Sequence, residues 1–427
     1  MPYIPIINGR GLSVTMRLML NTSQIKKDFP LFTHHPDLVY LDSAATALKT
    51  QGVIDAERAY LEEYSTNVMR GLYPLAETAT EKFEMTREKM ATFIGAKSSS
   101  EIIFTPGTTD ALNLVSKLLA SQIEKGDTLV TTAMEHHSNF LPWKELAKTK
   151  SADLHIVSLT KEGMIDRESL KKSIDEHTKI ASFSAVSNVL GTINPVKEII
   201  ALIRSINPKT LIVIDAAQAV CHMPMSVSDW DADFVAFSGH KMFGPTGTGI
   251  LYGKYSLLET LPPVNFGGGM VLDSCAEDTL YKESPYCFEA GTPNIGGMIA
   301  LGSAIDYIEN IGLQNIHLHE TTLASYAIEK LKETFGEDIS IIGPSKKEKR
   351  SGIIAFTLAN VHPHDIAGIL GEQNICVRAG EHCTTPLHHS LRLSATTRLS
   401  LSIYNNENDI DKFISVLKEI QAMFLNK

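Results

Sequence analysis

Long apolar runs are missing from this chain of 427 residues. No stretch reaches the roughly eighteen uninterrupted apolar residues that a membrane-crossing helix requires. Cysteine is scarce: there are five, none with a CxxC partner, too few for a disulfide scaffold in so long a chain. Cys221, Cys275, Cys287 and Cys376 read as core or incidental thiols. Positive charge is in deficit, with 39 Lys and Arg against 49 Asp and Glu and a net charge of −10, which disfavours nucleic acid as a partner. Internal repeats and low-complexity tracts are absent as well.

What is present suits a globular protein of two or three domains: 43% hydrophobic and 21% charged residues. The opening stretch, MPYIPIINGRGLSVTMRLML, lacks acids and contains Arg10 and Arg17. Arg17 splits the only block that resembles a signal peptide. It reads as an N-terminal extension (1–27), or translation starts at Met16 or Met19, and the protein is expected to be cytoplasmic.

The middle of the chain alternates apolar strands with helical patterns, the mark of an α/β domain with a largely parallel sheet. Strands are predicted at 101–106, 127–132, 154–159, 179–186, 210–217 and 233–238, and helices at 109–120 and 196–206. From about Ile299 the texture changes. A helical region (299–335), a basic loop SKKEKR (345–350), short apolar segments and a final helix from about 407 suggest a smaller α+β domain. The predicted division is 28–300 for a large domain, whose N-terminal segment contributes to the small one, and 301–427 for the small domain.

Ligands of open parallel sheets bind beyond the carboxyl ends of the strands, and the chemically notable residues fall there. TLIVIDAAQAV ends a strand at Asp215 and continues to Gln218. DFVAFSGHK ends one at Ser238, followed by His240 and Lys241. EIIFTPGTTDALNLV leads through Gly107-Thr108-Thr109 into a helix, where free backbone N–H groups and two hydroxyls suit a phosphate. An amine, a carboxylate and a phosphate cradle at neighbouring strand ends fit pyridoxal phosphate. The lysine bonds the aldehyde, the aspartate keeps the pyridine nitrogen protonated, and the loop holds the phosphate. The glycines of GPTGTG instead run into another strand, GILYG, so a dinucleotide fingerprint, which must open a helix, is disfavoured.

The ordered motifs YLDSAATALK (40–49), NVMRGLYPLAE (67–77), TPGTTDALNLV, MEHHSNFLPW (134–143), SNVLGTINP (187–195), DAAQAV, SGHKMFGPTGTGILYG, FEAGTPNIGG (288–297), RAGEHCTTPL (378–387) and RLSLSIYNN (398–406) carry a resemblance. From about Asp28 to its end the chain resembles the SufS/CsdA-like cysteine desulfurases. These belong to the class V aminotransferase family of fold-type I pyridoxal-phosphate enzymes. The resemblance implies a large domain with a mostly parallel seven-stranded sheet and a smaller α+β C-terminal domain. It implies that Lys241 bonds the cofactor, Asp215 pairs with its ring nitrogen and Gln218 reaches its ring hydroxyl. Thr108, Thr109, Ser238 and His240 hold the phosphate, with Thr292 contributing across a homodimer interface. His136 stacks on the ring and shuttles protons, Asn188 lies near it, and Arg398, with Arg378 nearby, receives the substrate carboxylate. Cys383 takes the sulfur of L-cysteine as a persulfide, releasing alanine.

Read alone, the sequence leaves other options. His136-His137 reads better as a polar loop pair, and His382, Cys383, His388 and His389 are a candidate zinc set, although their spacing matches no structural-zinc pattern. Arg378 and His382 are expected to supply positive charge favouring a Cys383 thiolate. Two departures stand out. Met69-Arg70-Gly71-Leu72-Tyr73 replaces the HRGxH of many relatives, and Glu381 adds negative charge where they carry GHHCA. The short span from Cys383 to Arg398 resembles the SufS-like subgroup, and that resemblance implies a docking sulfur acceptor, SufE-like or SufU-like, and a role in feeding iron–sulfur cluster assembly. Selenocysteine lyase activity, or a degenerate scaffold, are the alternatives.

Overall fold

In the computed structural model residues 20–425 are described; the reading of residues 1–19 lies outside them. Strand β1 (Val39–Tyr40) precedes the seven strands of the large sheet: β2 (Ile102–Thr105), β3 (Thr128–Thr132), β4 (Asp153–Val157), β5 (Thr178–Ser184), β6 (Leu211–Asp215), β7 (Phe234–Ser238) and β8 (Gly249–Gly253). A hairpin of β9 (Val271–Ser274) and β10 (Thr279–Tyr281) follows. The remaining strands are β11 (Ile339–Ile342), β12 (Ile353–Leu358), β13 (Ile375–Cys376), β14 (Arg378–Gly380) and β15 (Thr396–Ser400).

The large sheet has the order β2-β8-β7-β6-β5-β3-β4. Only β8 runs antiparallel to its neighbours. Helices cover both faces, so strands such as β2, β3 and β7 are buried throughout and read as continuous apolar runs rather than alternating ones. Each strand predicted from the sequence is present. The β8 ladder lies close against the turn after β2: a Cβ on Gly249 would sit 2.4 Å from Gly107 Cα, so only glycine fits.

The predicted helical region at 299–335 is two helices, Ile295–Ile311 and Leu313–Phe335, broken at Gly312, whose φ is 86°. The first packs against helices Gln51–Glu63 and Pro74–Ile94, neither of which the sequence reading had singled out. Leu313–Phe335 and the last helix, Glu407–Leu425, cover an antiparallel sheet of order β11-β12-β15-β14. Strand β1 pairs in parallel with β13 as a separate two-stranded sheet, and the chain after it reaches the four-stranded sheet through a bridge from Asp42 to Ser400 of β15. Residues 20–27, read as extension, are docked: Ile25 is buried and Lys26 lies 3.0 Å from Asp409 of the last helix.

Candidate active site

The strand ends of the large sheet and the edge of the small one enclose a cavity of about 240 Å³. Lys241, Asp215, Gln218, Ser238, His240, Thr108, Thr109, His136, Asn188, Arg378, Arg398 and Cys383 all line it. The lysine and the cysteine, distant in sequence, therefore face one space.

Lys241 closes a single helical turn, Gly239–Lys241, directly after β7. Burial lowers the pKa of its amine, against the opposing pull of Asp215. Its Nζ makes no hydrogen bond within the described residues. Asp215 ends β6; its Oδ1 accepts from Ala217 N–H at 2.9 Å, while burial raises its pKa and the Lys241 charge pulls it down. Gln218 Nε2 donates to Ala44 O at 2.8 Å, leaving a buried Oε1 with no partner among the described residues.

Helix Thr108–Leu119 opens on Gly107 with no side-chain cap, so beyond Thr108 its first-turn N–H groups have no capping partner near the cavity. Thr108 N–H donates to Ser238 Oγ at 2.8 Å, and the Thr108 and Ser238 hydroxyls lie 2.6 Å apart. Thr109 Oγ1 lies 2.6 Å from Ser138 Oγ. Burial, with Lys241 and Lys49 nearby, lowers the His240 pKa to about 4, so its ring is neutral at pH 7.

His136 caps helix His137–Lys150, its Nδ1 accepting from Ser138 N–H at 3.1 Å. That bond fixes the tautomer: Nδ1 carries no proton and Nε2 carries it. Burial and the charges of Lys241, His137 and Arg398 lower its pKa to about 3.

At the other end, β14 and β15 place Arg378 opposite Arg398. Arg398 is 2% exposed; its Nη1 donates to Asn188 O at 3.0 Å and its Nη2 to Asp42 Oδ1 at 3.1 Å. Its Nε is buried without a partner among the described residues. Arg378 Nε lies 3.5 Å from Asp42 Oδ2.

The Cys383 thiol is exposed, but its backbone is held. His137 N–H donates to Cys383 O at 2.8 Å, and Asn188 Nδ2 donates to His382 O at 3.0 Å. His382 and Cys383 both occupy left-handed backbone, with φ of 51° and 58°. One expectation is corrected here. His382 cannot supply positive charge to the thiol, because burial and Arg398 push its pKa far down, and its Nε2 is 2.9 Å from Thr396 Oγ1. Glu381 is engaged at the start of helix Thr385–Leu391, accepting from Thr385 Oγ1 at 2.8 Å. Among the described residues no group of three His, Cys, Asp or Glu is arranged to hold a metal ion.

Thr292 does not line this cavity; it borders a second one with Met69, Arg70 and Gly291. Sequence reasoning missed Asp42, the counter-charge of both arginines. It also missed Glu135, fully buried with Thr132, Asn139 and Ser184 donating to it, its pKa raised by burial to about 7. Both lie within the motifs quoted above, in YLDSAATALK and MEHHSNFLPW, but a carboxylate beside an apolar pair carries no signal of its partners.

Pyridoxal phosphate fits the donor set. The uncommitted amine of Lys241, the buried carboxylate of Asp215, the orphaned Gln218 Oε1 and the uncapped helix start beside two hydroxyls match its aldehyde, ring nitrogen, ring hydroxyl and phosphate.

Residues 39–413 match the model of the class-V aminotransferase family, to which the chain belongs. A probable cysteine desulfurase of Halalkalibacterium halodurans is 46% identical over 409 residues, covering 95% of this chain and 99% of that one. A cysteine desulfurase of Cronobacter sakazakii is 41% identical over 411 residues, covering 95% of this chain and 100% of that one. Among solved structures, the apo cysteine desulfurase of Thermococcus onnurineus NA1 superposes with a TM-score of 0.89 at 38% identity, covering 93% of this chain and 97% of that one. The cysteine desulfurase CsdA of Escherichia coli does so with a TM-score of 0.88 at 31% identity, covering 95% and 100%.

Proposed function

We propose that the sulfur removed from L-cysteine is received by Cys383 while Lys241 anchors the cofactor on the opposite wall of the same cavity. The protein is a pyridoxal-phosphate-dependent cysteine desulfurase. The observation carrying the residue assignment is the shared cavity: Lys241, Asp215, His136, Arg398 and Cys383 converge on it.

When bound, the cofactor supplies an electron sink that labilises the substrate's bonds; the chain does the rest. Lys241 provides the attaching amine, kept nucleophilic because burial disfavours its charged form. Asp215 holds a proton at the ring nitrogen, and Gln218, Thr108, Thr109, Ser238 and His240 fix the ring and phosphate. His136, neutral with its proton on Nε2, is suited to moving a proton at the ring face. Arg398 and Arg378 bind the substrate carboxylate and Asn188 orients it. In the net reaction L-cysteine and the Cys383 thiol give L-alanine and a Cys383 persulfide; the sulfur moves without any external oxidant or reductant.

Because Cys383 O and His382 O are pinned on either side of the thiol, the persulfide stays at the cavity mouth. An acceptor protein, SufE-like or SufU-like, must then come to it, feeding iron–sulfur cluster assembly. Thr292 belongs to the same reading, reaching the phosphate of a partner subunit in a homodimer. Among the described residues no helix is long and apolar enough to cross a membrane, in keeping with a cytoplasmic enzyme.

The test is incubation of the holoenzyme with L-cysteine and a reductant, assaying alanine and sulfide beside a Cys383→Ser control. Both products are expected from the native protein and almost none from the control; equal output from the two would reject Cys383 as the acceptor. Running L-selenocysteine in parallel separates the lyase alternative, whose turnover should depend less on the thiol.

A further inference from the structure

The two arginines at the substrate end of the cavity sit opposite each other on adjacent antiparallel strands, Arg378 on β14 and Arg398 on β15. Like charges in that register repel. Asp42 relieves the repulsion, its Oδ1 accepting from Arg398 Nη2 at 3.1 Å and its Oδ2 facing Arg378 Nε at 3.5 Å. It reaches both because the chain after β1 runs beside β15, with Asp42 bridged to Ser400. Its side chain is 16% exposed and that of Arg398 3%, so solvent screens that pair only weakly, whereas the Arg378 side chain is half-exposed and its contact is screened more.

We propose that Asp42 is a specificity-determining residue that limits the substrate end of the cavity to one negative charge. Two guanidinium groups and one carboxylate leave a single uncompensated positive charge, which matches one α-carboxylate. A substrate with a second anionic group in its side chain meets a site already neutralised, with the Asp42 charge repelling it. The remaining ionisable groups do not alter this count. Burial disfavours the charged form of Lys241, and His136, His240 and His382 are held neutral; Asp215 lies at the cofactor end, at the close of β6, and Glu381 does not line the cavity. The second Arg398 contact, to Asn188 O, is uncharged and orients the fork without changing its charge.

The inference rests on the reading of Arg398 as the carboxylate-binding residue, and the experiment separates the two. The holoenzyme, Asp42→Asn, Arg378→Gln and Arg398→Gln are titrated with L-aspartate and L-asparagine, near-isosteric amino acids differing by one charge. Binding is followed by the change in the cofactor's visible absorbance and by competition against L-cysteine. The aspartate-to-asparagine affinity ratio is expected to rise about tenfold in Asp42→Asn, the effect of removing a charge roughly 10 Å away at an effective dielectric near 20. It should fall in Arg378→Gln, a half-exposed position whose replacement keeps the test available if Asp42→Asn does not fold. A ratio unchanged in either variant overturns the role of Asp42. Arg398→Gln binding both ligands like the native enzyme overturns the underlying assignment instead. A purely structural Asp42 would lower the melting temperature and leave the ratio where it was.

Discussion

The end of the cavity built by the large sheet and the end built by the small sheet hold their polar groups in different ways. On the lysine side the groups are buried and partly uncommitted: among the described residues Lys241 Nζ and Gln218 Oε1 find no hydrogen-bond partner, and a helix starts with no side-chain cap. On the cysteine side the charged groups are tied to one another through Asp42, Arg398 Nε being left over among the described residues, and the thiol and the Arg378 side chain are exposed. Unsatisfied buried groups are costly and persist where a ligand completes them. The first side is thus suited to a resident cofactor, and the second to a substrate and a product that come and go.

If that division is right, mutations on the two sides should fail differently. The largest effect is expected from Lys241→Ala, with kcat/KM falling by about 10⁴ or more, the scale on which loss of a covalent catalytic group acts. The visible absorbance of the attached cofactor should disappear with it. Cys383→Ser should lower desulfuration of L-cysteine by roughly a hundredfold to a thousandfold, yet leave the cofactor spectrum unchanged; a changed spectrum would blur the two sides. Arg398→Lys keeps the charge and loses the fork. Charge-assisted bonds of about 1.5–3 kcal/mol correspond to a KM increase of about tenfold to a hundredfold, again with an unaltered spectrum.

The smallest effect is on stability. His136 stays neutral in the folded protein down to about pH 3, against 6.5 for a free histidine. Between those values the unfolded chain takes up a proton that the folded one does not, so stability falls as pH falls through this window. His136→Asn should flatten that decline in thermal melts between about pH 6 and pH 4 and leave the melting temperature at pH 8 nearly unchanged. An unaltered slope would mean that the ring titrates freely.

The large sheet was legible in the sequence because its strands are buried on both faces and stand out as apolar runs between turn residues, as LIVID and FVAFS do. Asp215 and Lys241 were legible because strand ends are where such sheets bind ligands. The break at Gly312 was hidden inside a continuous helical pattern. Asp42 was hidden because its partners come from β14 and β15, far along the chain, and they meet it only where the chain after β1 bridges to Ser400 of β15. The neutral state of His382 was equally out of reach: a histidine beside a cysteine suggests positive charge until burial against Thr396 is seen.

Mass spectrometry of the holoenzyme after exposure to L-cysteine without reductant tests most directly whether the lysine wall and the cysteine wall serve one reaction. One added sulfur atom is predicted on the peptide containing Cys383, and none in Lys241→Ala treated identically. Sulfur carried instead on Cys275 or Cys376, or alanine formed while Cys383 stays unmodified, would contradict the account.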